Sequence, residues 1–160
     1  MGRVLGVDLG SRRIGLALSD PGGVLASPLE VLERGADHGV DHAVIVGRAH
    51  DEGAERIVVG LPRSLSGDEG PAARAARAEV AELRLVAGRG LPIELHDERL
   101  TTVSAERRIR EADGLDSRRR RRRREPVDAA AAAEILQSYL DAAGVAASHM
   151  DTGRRARRER

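Results

Sequence analysis

VLGVDLGSRRIGLALSD, residues 4–20, sets the direction of the whole fold. VLGVDL (4–9) reads as a buried strand, because a short apolar run bounded by turn residues suits a strand covered on both faces. RIGLALSD (13–20) is a second strand and VLASPLEVL (24–32) a third, joined by the turn Pro21-Gly22-Gly23. Connections this short predict an antiparallel meander, since a parallel return needs about a dozen residues or more. The apolar pattern leaves one residue unexplained. Asp8 is a carboxylate late in a buried strand, directly before a turn through Gly10.

Downstream, helices and strands alternate. Residues 38–52 read as a helix with Asp37 as its cap and Val40, Val44 and Gly47 on one face. RIVVGLP (56–62) is a strand, and residues 71–87 are a helix with Ala73, Ala76, Val80, Leu83 and Ala87 on its apolar stripe. LPIELHD (91–97) is a strand, and Thr102 caps a helix to about Ala112. GLDSRRRRRRREP (114–126) reads as a loop, because successive arginines repel one another. Pro126 suits the first turn of a last helix with an apolar face through Ala132, Ile135, Leu136, Tyr139 and Ala143. A meander followed by alternating helices and strands predicts an α/β fold, a mixed five-stranded sheet flanked by helices. The 160 residues suit one domain, residues 1–145, with residues 146–160 as a disordered Arg-rich tail.

Composition narrows the chemistry. There is no cysteine, which excludes disulfides and thiolate-ligated zinc. No run reaches the length of a membrane span and no apolar leader opens the chain, so a cytoplasmic protein without membrane partners is expected. Tyr139 is the single aromatic residue, so the core is Val, Leu, Ile and Ala, and stacking of nucleic-acid bases on aromatic rings is nearly excluded. The net charge of +1 hides an asymmetry: residues 1–117 sum to −5 and residues 118–160 to +6. An acidic body beside a basic C-terminal part suggests a cation site next to a phosphate site.

The acids that end strands or start helices are Asp8, the pair Asp97 and Glu98, and Asp128. If their elements are neighbours, three carboxylates converge. Like charges at short range require neutralisation, and hard oxygen ligands without His or Cys suit Mg²⁺ or Mn²⁺. Two such ions can activate water and stabilise the leaving oxygen in phosphodiester cleavage. Taken singly, each acid also has a plain structural role. Asp8 reads as well as a turn residue, Asp128 as a helix-start acid, and Asp97 or Glu98 as surface partners of Arg99. His38 and His42 have helical spacing but no third ligand, and His96 in a strand is more often structural.

Four stretches in one order change that balance: DLGSRRIGLALSD (8–20), VVGLPRSLSG (58–67), DERLTT (97–102) and VDAAAAAEILQSYLD (127–141). Together, over about residues 3–144, the chain resembles the YqgF-type pre-16S rRNA nucleases, also called Holliday junction resolvases. The resemblance implies a ribonuclease H-like fold and a metal-dependent nuclease of ribosome biogenesis. By motif it implies Asp8, Glu98 and Asp128 as catalytic metal ligands on a two-ion Mg²⁺ or Mn²⁺ site, with Asp97 the close competitor of Glu98. Strand alternation sends 97 and 98 to opposite faces, so one of them joins Asp8, and the expectation is Glu98. Gly10 would turn the backbone sharply and leave room for a phosphate, and Arg13 would contact substrate. The run Arg118, Arg119, Arg120, Arg121, Arg122, Arg123 and Arg124 would close over nucleic acid. Glu125-Pro126 ahead of Asp128 departs from the family's pattern.

Pre-16S rRNA is the favoured substrate and 5′-end maturation the implied reaction, with branched DNA as the alternative. A monomer or a homodimer fits, a dimer favouring the DNA junction. Two other classes remain. A non-catalytic RNA-binding ribosome-assembly factor would use the arginine loop alone. A kinase of the actin-like superfamily also opens on an Asp-x-Gly turn, but it needs two such domains, more than 160 residues supply.

Overall fold

The structure is a computed structural model and describes residues 2–62, 69–97 and 128–144. The meander is formed by β1 (Arg3–Leu9), β2 (Arg13–Ser19) and β3 (Ala26–Glu33), paired antiparallel. Helix α1 (His38–Asp51) leads to β4 (Ala54–Leu61), which lies parallel to β1 on its other side. Helix α2 (Pro71–Ala87) leads to β5 (Ile93–Asp97), parallel to β4. The sheet order is β3-β2-β1-β4-β5, so β1 is central, with an antiparallel half on one side and a parallel half on the other. A final helix, α3, runs over residues 128–144. This is the mixed five-stranded sheet expected from the alternation of patterns.

The side chains of β1 divide by parity, as a pleated strand requires. Leu5 and Val7 pack with Ile14, Leu16, Ile57 and Val59 against Ile45, Val46 and Ala49 of α1 and Val80 and Leu83 of α2. Val4 packs with Ala17 and Val58 against Ala132, Leu136 and Leu140 of α3. The sheet is therefore covered on both faces, which explains why its central strands read as unbroken apolar runs.

Asp37 caps α1, its carboxylate accepting the Gly39 N–H at 2.8 Å, and Pro71 opens α2. The expected buried face of α1 was displaced. Val40 and Val44 are 58% and 39% exposed, while Asp41, His42, Ile45, Val46 and Ala49 are buried. The reason is that two polar residues on the inner face have partners there: Asp41 accepts the Gly35 N–H at 3.0 Å, and His42 Nε2 lies 3.2 Å from Glu79. Hydropathy periodicity cannot register a polar group that finds a partner inside the fold.

The helix expected over 102–112, the arginine loop and the tail 146–160 lie outside the described residues. Among the described residues no helix is long and apolar enough to cross a membrane.

Candidate active site

Two glycines decide how closely α3 approaches the sheet. A Cβ on Gly6 would lie 2.8 Å from the Leu136 Cβ, and one on Gly15 would overlap the Asp128 carbonyl group. With only hydrogens there, the first turn of α3 rests directly on β2. Gly15 pairs with Asp8 across the antiparallel ladder, and such partners stand about 5 Å apart. Asp8 shares the parity of Val4 and Gly6, the residues facing α3. The fold thus brings Asp8 and Asp128 to one end of one face, although 120 positions separate them in the sequence.

Asp8 is 4% exposed, a buried carboxylate at the end of the central strand. After it the chain turns tightly: the Gly10 N–H donates to the Asp8 carbonyl at 3.1 Å. The described glycines with positive φ are Gly23, Gly53 and Gly88, so this turn is sharp without using the left-handed region. Arg13 opens β2 with the parity of Gly15 and Ala17. Its Nη1 is 3.5 Å from Asp128 Oδ2, with the two side chains 12% and 35% exposed. That same Nη1 is fully buried and makes no hydrogen bond among the described residues. A largely buried cationic group therefore stands beside the half-buried Asp128 carboxylate.

On β5, Ile93 and Leu95 belong to the core under α1 and α2. Glu94 and His96 face α3 instead. Tyr139 donates to Glu94 at 2.8 Å and is itself 2.9 Å from Arg56 Nη1, which also pairs with Glu94 at 2.7 Å. His96 Nε2 lies 2.9 Å from Ser138 Oγ, and its ring meets Tyr139 edge-on at 5.8 Å. Burial pushes the His96 pKa below its usual value, partly countered by the nearby Asp97. His96 is thus a tie between β5 and α3. The alternation of β5 assigns Asp97 to the face opposite Asp8.

Glu98 and Arg118–Arg124 lie outside the described residues, as do Glu125 and Pro126 ahead of Asp128. Among the described residues no group of three or more His, Cys, Asp and Glu is placed to hold a metal. What is assembled there is a pair of acids from β1 and α3, an arginine from β2 and a tight turn. Hard oxygen donors of this kind fit Mg²⁺ or Mn²⁺ better than a softer ion.

Two residues of the site were not singled out from the sequence. Gly15 carried a signal, because a glycine inside a strand marks close backbone approach. Arg34 carried none: it follows β3, yet its Nε donates to the Gly10 carbonyl at 2.6 Å.

Residues 2–142 match the model of the family described as RuvX, Holliday junction resolvase. The chain is 46% identical over 138 residues to a protein of Kineococcus radiotolerans named "Putative pre-16S rRNA nuclease", covering 86% of this chain and 71% of that one. A protein of the same name from Moorella thermoacetica is 45% identical over 142 residues, covering 89% and 96%. Among solved structures, Thermus thermophilus RuvC in complex with a Holliday junction substrate superposes with a TM-score of 0.50 at 20% identity, over 89% of this chain and 95% of that one. At that identity the likeness bears on the fold alone, which is the ribonuclease H-like sheet.

Proposed function

The chain belongs to the RuvX family, and from that premise we propose that it is a divalent-metal-dependent nuclease that matures the 5′ end of pre-16S rRNA. The observation that carries the reading is the meeting of Asp8 and Asp128, through Gly15, at the end of a sheet of ribonuclease H-like topology. Nothing in the hydrophobic core calls for a carboxylate at position 8, where it is 4% exposed.

In this reading Asp8, Asp128 and Glu98 hold Mg²⁺ or Mn²⁺. The parity of β5 counts against Asp97, since Glu94 and His96 take the α3 face and Asp97 the opposite one. The bound ions would supply Lewis-acid stabilisation of the phosphodiester and an activated water. The protein's own part is geometric. Asp8 is fixed on the most constrained strand of the sheet, Asp128 is fixed by the seating of α3 on Gly15, and Arg13 offers a guanidinium to a phosphate oxygen. Arg118–Arg124 add a basic segment suited to the nucleic-acid backbone, so affinity should fall steeply with salt. With Tyr139 engaged by Glu94 and Arg56, recognition rests on phosphates and shape.

The family's description favours a second substrate, the four-way DNA junction. One experiment separates the readings: cleavage of an RNA carrying the 16S 5′ leader and of a synthetic junction, each with Mg²⁺, Mn²⁺ or EDTA, by wild type and Asp8→Asn. Metal-dependent RNA cutting lost in the variant is expected. Junction-only cutting would move the function to recombination. Equal RNA binding by both proteins with no cutting of either substrate would leave a binding factor.

A further inference from the structure

The turn that carries the chain out of β1 is held by a residue from the far end of the meander, just past β3. Arg34, the first residue after β3, touches it twice. Its peptide N–H donates to the Arg12 carbonyl at 2.9 Å, and its Nε donates to the Gly10 carbonyl at 2.6 Å. The other end of the same guanidinium grips Glu79 of α2 through both carboxylate oxygens, at 2.7 and 2.9 Å. Glu79 Oε1 is in turn 3.2 Å from Nε2 of His42 on α1. The next residue is also fixed, because Asp41 of α1 accepts the Gly35 N–H at 3.0 Å.

This is a buried network. The side chains of Arg34, Glu79 and His42 are 8%, 14% and 1% exposed. Burial disfavours ionised Glu79, but the hydrogen bonds from Arg34 and His42 outweigh it and hold the carboxyl below its usual range. A guanidinium is planar, with its donors in a fixed fork. Two of the three nitrogens bound to Glu79 therefore dictate where the third, Nε, points. It points at the carbonyl two residues beyond Asp8. Docking α2 onto the sheet would need only the ion pair; the bond to Gly10 serves the turn.

We propose that Arg34, set by Glu79 and His42, is a positioning residue that fixes the Asp8–Gly10 turn; as a claim about activity this rests on the nuclease reading above. A misplacement of about 1 Å at a reacting centre can cost roughly 10²-fold in rate, so a turn left free to shift would lose turnover while the substrate still binds.

The test compares Arg34→Lys with Arg48→Lys. Arg48 also makes a two-bond pair with a carboxylate, to Glu30 at 2.6 and 3.1 Å, but touches neither the turn nor α2 through it. Lysine keeps the charge at both sites and cannot span Glu79 and Gly10 together. For Arg34→Lys, kcat on the RNA substrate should fall by about 10–100-fold with KM within about threefold, the size seen when a supporting shell is lost. Amide exchange in residues 8–12 should quicken by on the order of tenfold as the turn opens locally. Glu79→Gln should move both readouts the same way by less, and Arg48→Lys should move neither. Wild-type kcat and unchanged exchange in Arg34→Lys would overturn the proposal. So would equal losses in Arg34→Lys and Arg48→Lys after correction for the folded fraction. If wild type cuts neither RNA nor junction, the nuclease reading fails, and the exchange measurement alone still decides whether Arg34 holds the turn.

Discussion

Against α1 and α2 the sheet presents Leu5, Val7, Ile14, Leu16, Ile57 and Val59, six large side chains with no exposure. Against α3 it presents Val4, Gly6, Gly15, Ala17 and Val58, and the helix answers with an alanine-rich face. The first face buries apolar area in bulk, which is where folding free energy comes from. The second gives up area for proximity: missing side chains let a helix backbone lie on a strand, and that places Asp128 beside the neighbour of Asp8. One face is built to bury apolar bulk, and the other lets a helix backbone approach the strands beside Asp8. The polar network of Arg34, Glu79 and His42 crosses between them, rooted in the first and ending at the turn that serves the second.

The sharpest test of that division is Asp8→Asn. Turnover should fall by roughly 10³-fold, the scale of one lost charge-stabilising group in a water-poor site. The thermal midpoint should stay within about 4 °C of wild type, measured by calorimetry. A collapse of stability instead would make Asp8 a structural acid and erase the distinction between the faces.

Gly15→Ala should damage both properties. The added methyl meets the Asp128 carbonyl, a backbone atom that cannot swing aside, so α3 must lift at its start. Denaturant titration should show a loss of about 3 kcal/mol, with activity lost even in the fraction that remains folded. Ile57→Ala should do the reverse. It should cost about 3 kcal/mol through the cavity left in the larger core, with the activity per folded molecule kept.

The smallest effect concerns His96, half-buried against Ser138 and Tyr139 beside Asp97. Its folded pKa lies below that of the free side chain, so the unfolded chain binds the proton more readily. Stability is then fully present above about pH 6.5 and falls as pH drops toward the folded pKa. Thermal midpoints between pH 7.5 and 5.5 should decline less steeply in His96→Gln than in wild type. An equal slope would remove His96 as the titrating tie between β5 and α3.

Much of the architecture was legible in the chain itself. Residues 4–9, 13–20 and 24–32 have connections too short for anything but antiparallel neighbours, and the structure pairs them so, to within two residues at their ends. Asp37 announced its cap, and the apolar stripe over 71–87 matched α2. The inner face of α1 was misread because Asp41 and His42, polar in the sequence, are paired inside the fold. The family resemblance rested on local words such as DLGSRRIG, and the match over residues 2–142 bears it out.

The site divides along the same line. Single residues stood out by position: Asp8 as an acid late in an apolar strand, and Asp128 as an acid at the start of the last helix. Their convergence was expected only if their elements were neighbours, and through the family resemblance; how it comes about depends on what a glycine omits, since Gly15 acts through an absent side chain. Arg34 gave no signal at all. Local pattern fixes what each segment becomes, since strand and helix periods are properties of a few neighbouring residues. Which distant groups then share one end of the sheet is decided by how the helices seat, and that is a matter of contact between segments far apart in the chain.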